Sequence, residues 1–163
     1  MNRTSVMVAA LISLACMVLP VPAQTASGGT VAMVLPADPA GLLGLSPALA
    51  IERFGPPARV FAVRGAEPWQ DDVVFDYAGG FSLFLFRDRV WQVRIGEAHA
   101  APVFGFVVGL SIERAIAILG APNRELPGAY EWVLPGDAWP VRLRGVVDAT
   151  GSIHELYVYR ADF

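Results

Sequence analysis

The chain contains no lysine; all twelve of its basic side chains are arginine. That excludes a Schiff-base lysine and the lysine of a phosphate-binding loop. There is one cysteine, Cys16, and there are two histidines, His99 and His154. With so few thiols and imidazoles, the residue set for a Cys/His zinc centre is missing. No basic tract is present and the formal net charge is −3, so the electrostatic footprint of a nucleic-acid binder is absent. No Ser-His-Asp order, phosphate-cradling glycine loop or metal-ligand spacing can be read. The sequence therefore offers no catalytic, cofactor-binding or metal-binding residue, and no cofactor is expected.

What is present begins with an address. Asn2-Arg3 is a short basic start, and Ser5 to Val21 is almost wholly apolar. Val21-Pro22-Ala23 before Gln24 has the small-x-small form of a signal-peptidase site. A membrane-anchoring helix is the alternative, but the run is short for a span and Pro20 and Pro22 interrupt it. Ser13-Leu14-Ala15-Cys16 is a degenerate form of the motif that directs lipidation of bacterial envelope proteins. The expected protein is thus exported, periplasmic or secreted, with a chain lipid-anchored at Cys16 as the second reading. Cleavage after Ala23 leaves no cysteine, so a buried core rather than disulfides must hold the fold.

The chain then repeats itself. Gly44-Leu45-Ser46 to Gly55-Pro56-Pro57-Ala58-Arg59 returns 65 residues later as Gly109-Leu110-Ser111 to Gly120-Ala121-Pro122-Asn123-Arg124, with eight of sixteen positions identical. Ser46 and Ser111 precede short apolar-periodic runs, as helix N-caps do. Pro47 suits the first helical position. Ile112, Ala115, Ile116 and Leu119 share one helical face, and Leu49, Ala50, Ile51 and Phe54 are read the same way. Gly55 and Gly120 stop the helices, and Pro57 and Pro122 prevent their resumption. After each helix the alternation is that of strands: 73–77, 81–86 and 89–95, then 129–134, 141–147 and 152–159.

This reading gives an α+β fold of two tandem repeats. Each is a short helix, or helical hairpin, followed by a three-stranded antiparallel meander. It divides the chain into a signal peptide 1–23, a flexible tether 24–43 with a short strand at Val31 to Leu35, a first repeat 44–99, an uncharged apolar connector 100–108, and a second repeat 109–163.

Gly109-Leu110-Ser111 with Leu119-Gly120-Ala121-Pro122, the aromatic strand Tyr130-Glu131-Trp132, and the closing hairpin from Val147-Asp148 to Gly151-Ser152-Ile153 resemble the SmpA/OmlA family of small outer-membrane assembly lipoproteins. They are also similar to the β-lactamase-inhibitor-protein-like fold, in which two such units stand in tandem. The resemblance covers nearly all of residues 44–160 and implies a fold rather than a site. The cysteines of the secreted inhibitors are absent, and no inhibitory residue carries over.

Strand alternation sorts the side chains into two faces. Phe75, Tyr77, Phe81, Leu83, Leu85, Trp91, Val93, Ile95, Tyr130, Trp132, Leu156 and Val158 form the expected core. The opposite face then holds Phe84, Phe86, Gln92, Arg94, Arg142, Arg144, Tyr157 and Tyr159. A solvated sheet face is normally polar, whereas aromatic residues and arginine are enriched at protein interfaces. Internal packing against a connector or the other repeat's sheet is the alternative. Asp71-Asp72 reads as a solvated pair, His154 as a packed or surface strand residue, and His99 as a residue of the connector.

The function expected from the sequence is non-catalytic binding of another cell-envelope protein through that sheet face. A periplasmic or secreted inhibitor or ligand-binding module is the runner-up, and a small hydrolase-type enzyme the third reading. Neither a nucleic-acid partner nor a transmembrane span in the mature chain is expected.

Overall fold

The structure is a computed structural model that describes residues 34–162 apart from 68, 69 and 137. The signal peptide, Cys16 and the first residues of the expected strand at Val31 to Leu35 lie outside the described residues. Val34 and Leu35 are not in a strand. Leu35, Leu42 and Leu43 are buried in the core, and Pro39–Leu42 is a 3-10 turn whose Asp38 cap accepts from Ala40 N at 2.9 Å. Residues 34–43 are therefore part of the packed body.

Two helices, α1 (Pro47–Phe54) and α2 (Ile112–Leu119), and eight strands follow. The strands are β1 (Arg59–Val63), β2 (Asp72–Tyr77), β3 (Phe81–Phe86), β4 (Arg89–Gly96), β5 (Arg124–Leu126), β6 (Ala129–Leu134), β7 (Val141–Val147) and β8 (Ile153–Arg160). All eight form one antiparallel sheet in the order β1-β2-β3-β4-β8-β7-β6-β5.

This corrects the expected fold. The molecule is largely β, one continuous sheet with two short helices, rather than two repeats of a helix and a three-stranded meander. Two strands were not expected, β1 and β5, and they form the sheet edges. The physical reason for the merger is the seam between β4 and β8. Gln92, Val93, Arg94 and Ile95 face Tyr159, Val158, Tyr157 and Leu156 across it. Joining the sheets there satisfies two rows of backbone donors and acceptors that separate meanders would leave unpaired.

Both helices bury their apolar residues on one face of the sheet. Ala50 and Phe54 of α1, with Ile112 and Ala115 of α2, join Phe81, Leu83, Val93, Ile95, Leu143, Leu156 and Val158 in a single core. Phe54 meets Tyr77 and Phe81 edge-on, with ring centroids 5.6 and 5.2 Å apart, a geometry that aromatic quadrupoles favour. Leu49 and Ile51, expected on the buried stripe of α1, are exposed; the buried residues of this short helix are Ala50 and Phe54. In the connector, Val103 and Phe106 pair in an isolated bridge and are buried.

The two helix starts differ. Ser46 Oγ accepts from Leu49 N at 3.3 Å, whereas Ser111 makes no side-chain cap bond to the helix backbone. Ser46→Ala is therefore expected to cost about 0.5–1 kcal/mol in denaturant unfolding, while Ser111→Ala costs less. Equal losses in the two variants would remove Ser46 as the functioning cap. Gly55 and Gly120 end the helices at φ +76° and +85°, and their N–H groups donate to Ile51 O and Ile116 O. In that region of backbone space only glycine is comfortable.

Candidate functional site

The site is built on the face of the sheet away from the helices. Successive residues of a strand point to opposite faces, so every second residue contributes. Across the sheet, Arg94 of β4 lies opposite Tyr157 of β8, which lies opposite Arg144 of β7, then Glu131 of β6 and Arg124 of β5. In the neighbouring row Phe84 faces Gln92, then Tyr159, Arg142 and Val133. All eight residues expected from the sequence thus share this face: Phe84, Phe86, Gln92, Arg94, Arg142, Arg144, Tyr157 and Tyr159. Each is half-buried.

Glu131 is the centre of the arrangement. Its side chain is 2% exposed, although it carries a carboxylate. Its Oε1 accepts from Arg144 Nε at 2.9 Å, Arg144 Nη2 at 2.6 Å and the Tyr159 hydroxyl at 2.6 Å. Its Oε2 has Arg142 Nη1 at 3.4 Å and Arg124 Nη1 at 3.5 Å. A buried carboxylate is tolerated only when charge and lone pairs are met in this way. Burial raises its affinity for a proton, but the Tyr159 hydroxyl and the Arg144 guanidinium outweigh that effect and hold the carboxyl below its ordinary pKa.

A second cluster stands beside it. Arg94 donates to Glu155 Oε1 through Nε at 2.9 Å and also through Nη2, and the Tyr157 hydroxyl donates to Glu155 Oε2 at 2.5 Å. Burial likewise opposes ionisation of Glu155, and Arg94 and Tyr157 overcome it. Between the clusters runs a groove of about 450 Å³ lined by Trp91, Gln92, Arg144, Glu155, Tyr157 and Tyr159 among others.

Trp91 corrects an expectation, since simple alternation puts it in the core. Phe84 faces Gln92 and Leu85 faces Val90, which leaves Trp91 as the extra residue of a β-bulge. The bulge lets Val90 and Val93 both turn inward and directs Trp91 outward. Its indole Nε1 donates to Asp72 Oδ1 at 3.0 Å. Asp72 titrates above the ordinary carboxylate value, because burial outweighs that hydrogen bond. Asp72, Phe86, Arg87 and Trp91 contribute to a second hollow of about 590 Å³.

The remaining polar candidates have separate surroundings. Asp71 pairs with Arg64 and accepts from Gly65 N at 3.2 Å. His99 is buried, with Nδ1 2.8 Å from Gly79 O. His154 is the extra residue of a second bulge, where Val146 faces Glu155 and Val147 faces Ile153. Among the described residues no group of three His, Cys, Asp or Glu side chains could hold a metal ion.

Sequence reasoning missed Glu131, Glu155, Arg124 and the outward turn of Trp91. The signal for Glu131 was legible: it alternates with Tyr130 and Trp132, so it must face away from them. Arg142 and Arg144 alternate in the same sense on the adjoining strand.

No family model matches the chain, and no curated protein matches it. Among solved structures it is similar to the crystal structure of an extracellular protein containing a SCP domain from Bacillus anthracis str. Ames, at a TM-score of 0.52 and 10% identity. The match covers 93% of this chain and 51% of the other, so the chain spans about half the length of that structure. At that identity the likeness is one of fold.

Proposed function

We propose that this protein is exported and binds another protein of the cell envelope through the helix-free face of its sheet, without catalysis. The observation that carries this reading is the gathering of Phe84, Phe86, Gln92, Arg94, Arg142, Arg144, Tyr157 and Tyr159 on one half-buried face. Aromatic and arginine side chains held in fixed rotamers lose little entropy on contact, which suits them to recognition. The leader-like residues 1–23 and the extracellular nature of the structurally similar protein support export. No helix among the described residues is long and apolar enough to cross a membrane. The hollow beside Asp72 and Trp91 favours the second reading, an inhibitor or small-ligand module.

A photo-crosslinking residue in place of Gln92 tests the first reading. Gln92 sits mid-face, whereas Leu49 is exposed on α1, on the other side of the sheet. Crosslinking in the native envelope is expected to join a protein to position 92 and not to position 49. Capture from position 49 alone, or from neither, overturns the assignment of this face.

A further inference from the structure

We infer that Arg124 and Arg142 form a receptor for the carboxylates of an acidic protein segment. The inference rests on the protein-binding reading of this face and names the chemistry of the partner.

Glu131 does not use these two arginines fully. Its Oε1 is saturated by Arg144 and Tyr159. Arg142 and Arg124 approach Oε2 only at 3.4 and 3.5 Å, longer than an ordinary N–H···O bond. Each guanidinium carries five N–H donors in a planar fork, and a single nitrogen of each is placed on Glu131. Their side chains are 34% and 57% exposed. Both line a hollow of about 200 Å³ with Asn123, Glu131, Trp132 and Val133, and the Glu131 carboxylate there is already neutralised by Arg144. Asn123 Oδ1 accepts from Val133 N at 2.7 Å, which turns its amide N–H₂ away as a further donor.

Charge supports the same conclusion. From β4 to β5 this face carries Arg94, Arg124, Arg142 and Arg144 against Glu131 and Glu155, a positive surplus among the described residues. The chain as a whole is negative, at −3. A local field opposite in sign to the molecule selects a partner by complementarity. A carboxylate fits the fork in two parallel bonds. An anionic membrane fits less well, because contact with a broad leaflet needs basic side chains that stand out from the surface, and Arg142 is half-buried in the sheet.

The test uses an N-acetylated hexaglutamate peptide as probe, titrated by fluorescence anisotropy against the purified protein at low salt. The peptide is expected to bind and to bind about tenfold more weakly to Arg124→Gln/Arg142→Gln. Arg53→Gln/Arg114→Gln removes the same charge from the exposed helices and is expected to leave binding within about twofold. Near-UV circular dichroism establishes that the variants are folded; should the double variant unfold, Arg142→Gln alone is expected to weaken binding about threefold. Equal losses in the two double variants, or no binding by the native protein, overturn the proposal. Phosphatidylglycerol vesicles that bind through Arg124 and Arg142 while hexaglutamate does not would overturn it in favour of a lipid headgroup. Crosslinking from position 92 separates the two readings: if it persists when the peptide fails, only the carboxylate receptor falls.

Discussion

Glu131→Gln is expected to lower the melting temperature by roughly 5–10 °C at pH 7, equivalent to about 2–3 kcal/mol. The substitution keeps the shape of the side chain and removes its charge. Three guanidinium groups, those of Arg124, Arg142 and Arg144, then lose the anion they converge on. The loss falls short of the full value for a buried pair because the arginines retain solvent contact. The pH dependence has a definite sign. The folded carboxyl titrates below its ordinary value of 4.5, so its contribution is complete above that value. It is lost as the pH falls through the depressed folded pKa. The gap in stability between native protein and Glu131→Gln should therefore be widest near neutrality and shrink in acid below 4.5. Thermal melts of both proteins across that range provide the check. A variant that melts within about 1 °C of the native protein at pH 7 would show that the cluster adds nothing net.

Gly80→Val should be more damaging still, with a loss above about 3 kcal/mol or no native fold at all. Gly80 follows β2 at the turn into β3, with φ +77°. A Cβ placed there would lie 2.4 Å from His99 N and 2.5 Å from Ala98 C, both backbone atoms. Nothing in that contact can rotate away. The same backbone approach places Gly80 O on Gly96 N at 2.9 Å and carries His99 into the interior. Gly128 supplies the comparison, with φ +72° and nothing within 4 Å of its hypothetical Cβ. Gly128→Ala is expected to cost only the conformational term, about 1 kcal/mol. Denaturant midpoints of Gly80→Ala and Gly128→Ala that coincide would refute the steric argument.

Six of the strands could be read from alternation because one face of each is truly buried. Strand β3 is the clearest, since Phe81, Leu83 and Leu85 are buried while Phe84 and Phe86 are not. The edge strands gave no such signal. All five residues of β1 are exposed, and β5 has only three residues. Period-two patterning records burial, so a strand without a buried face is invisible to it. Trp91 failed for a different reason, because a bulge shifts the period and no local residue announces one. The candidate face itself was legible in its eight residues. The facing of Glu131 was legible too, but its convergence with the arginines was not, since they come from two other strands. Only the register across β5, β6 and β7 brings them together.

The place of β8 has a consequence for the order of assembly. β8, the last strand in sequence order among the described residues, lies in the middle of the sheet, between β4 and β7. Arg94 and Glu155, which bond across that seam, are 61 residues apart. Until Ile153–Arg160 has emerged during synthesis, β4 and β7 each present an open hydrogen-bonding edge beside apolar residues. The nascent chain is therefore a sticky intermediate for as long as β8 is withheld. Premature termination before β8 would remove the keystone of the sheet rather than trim its rim, and truncated products should aggregate instead of persisting as smaller folded proteins.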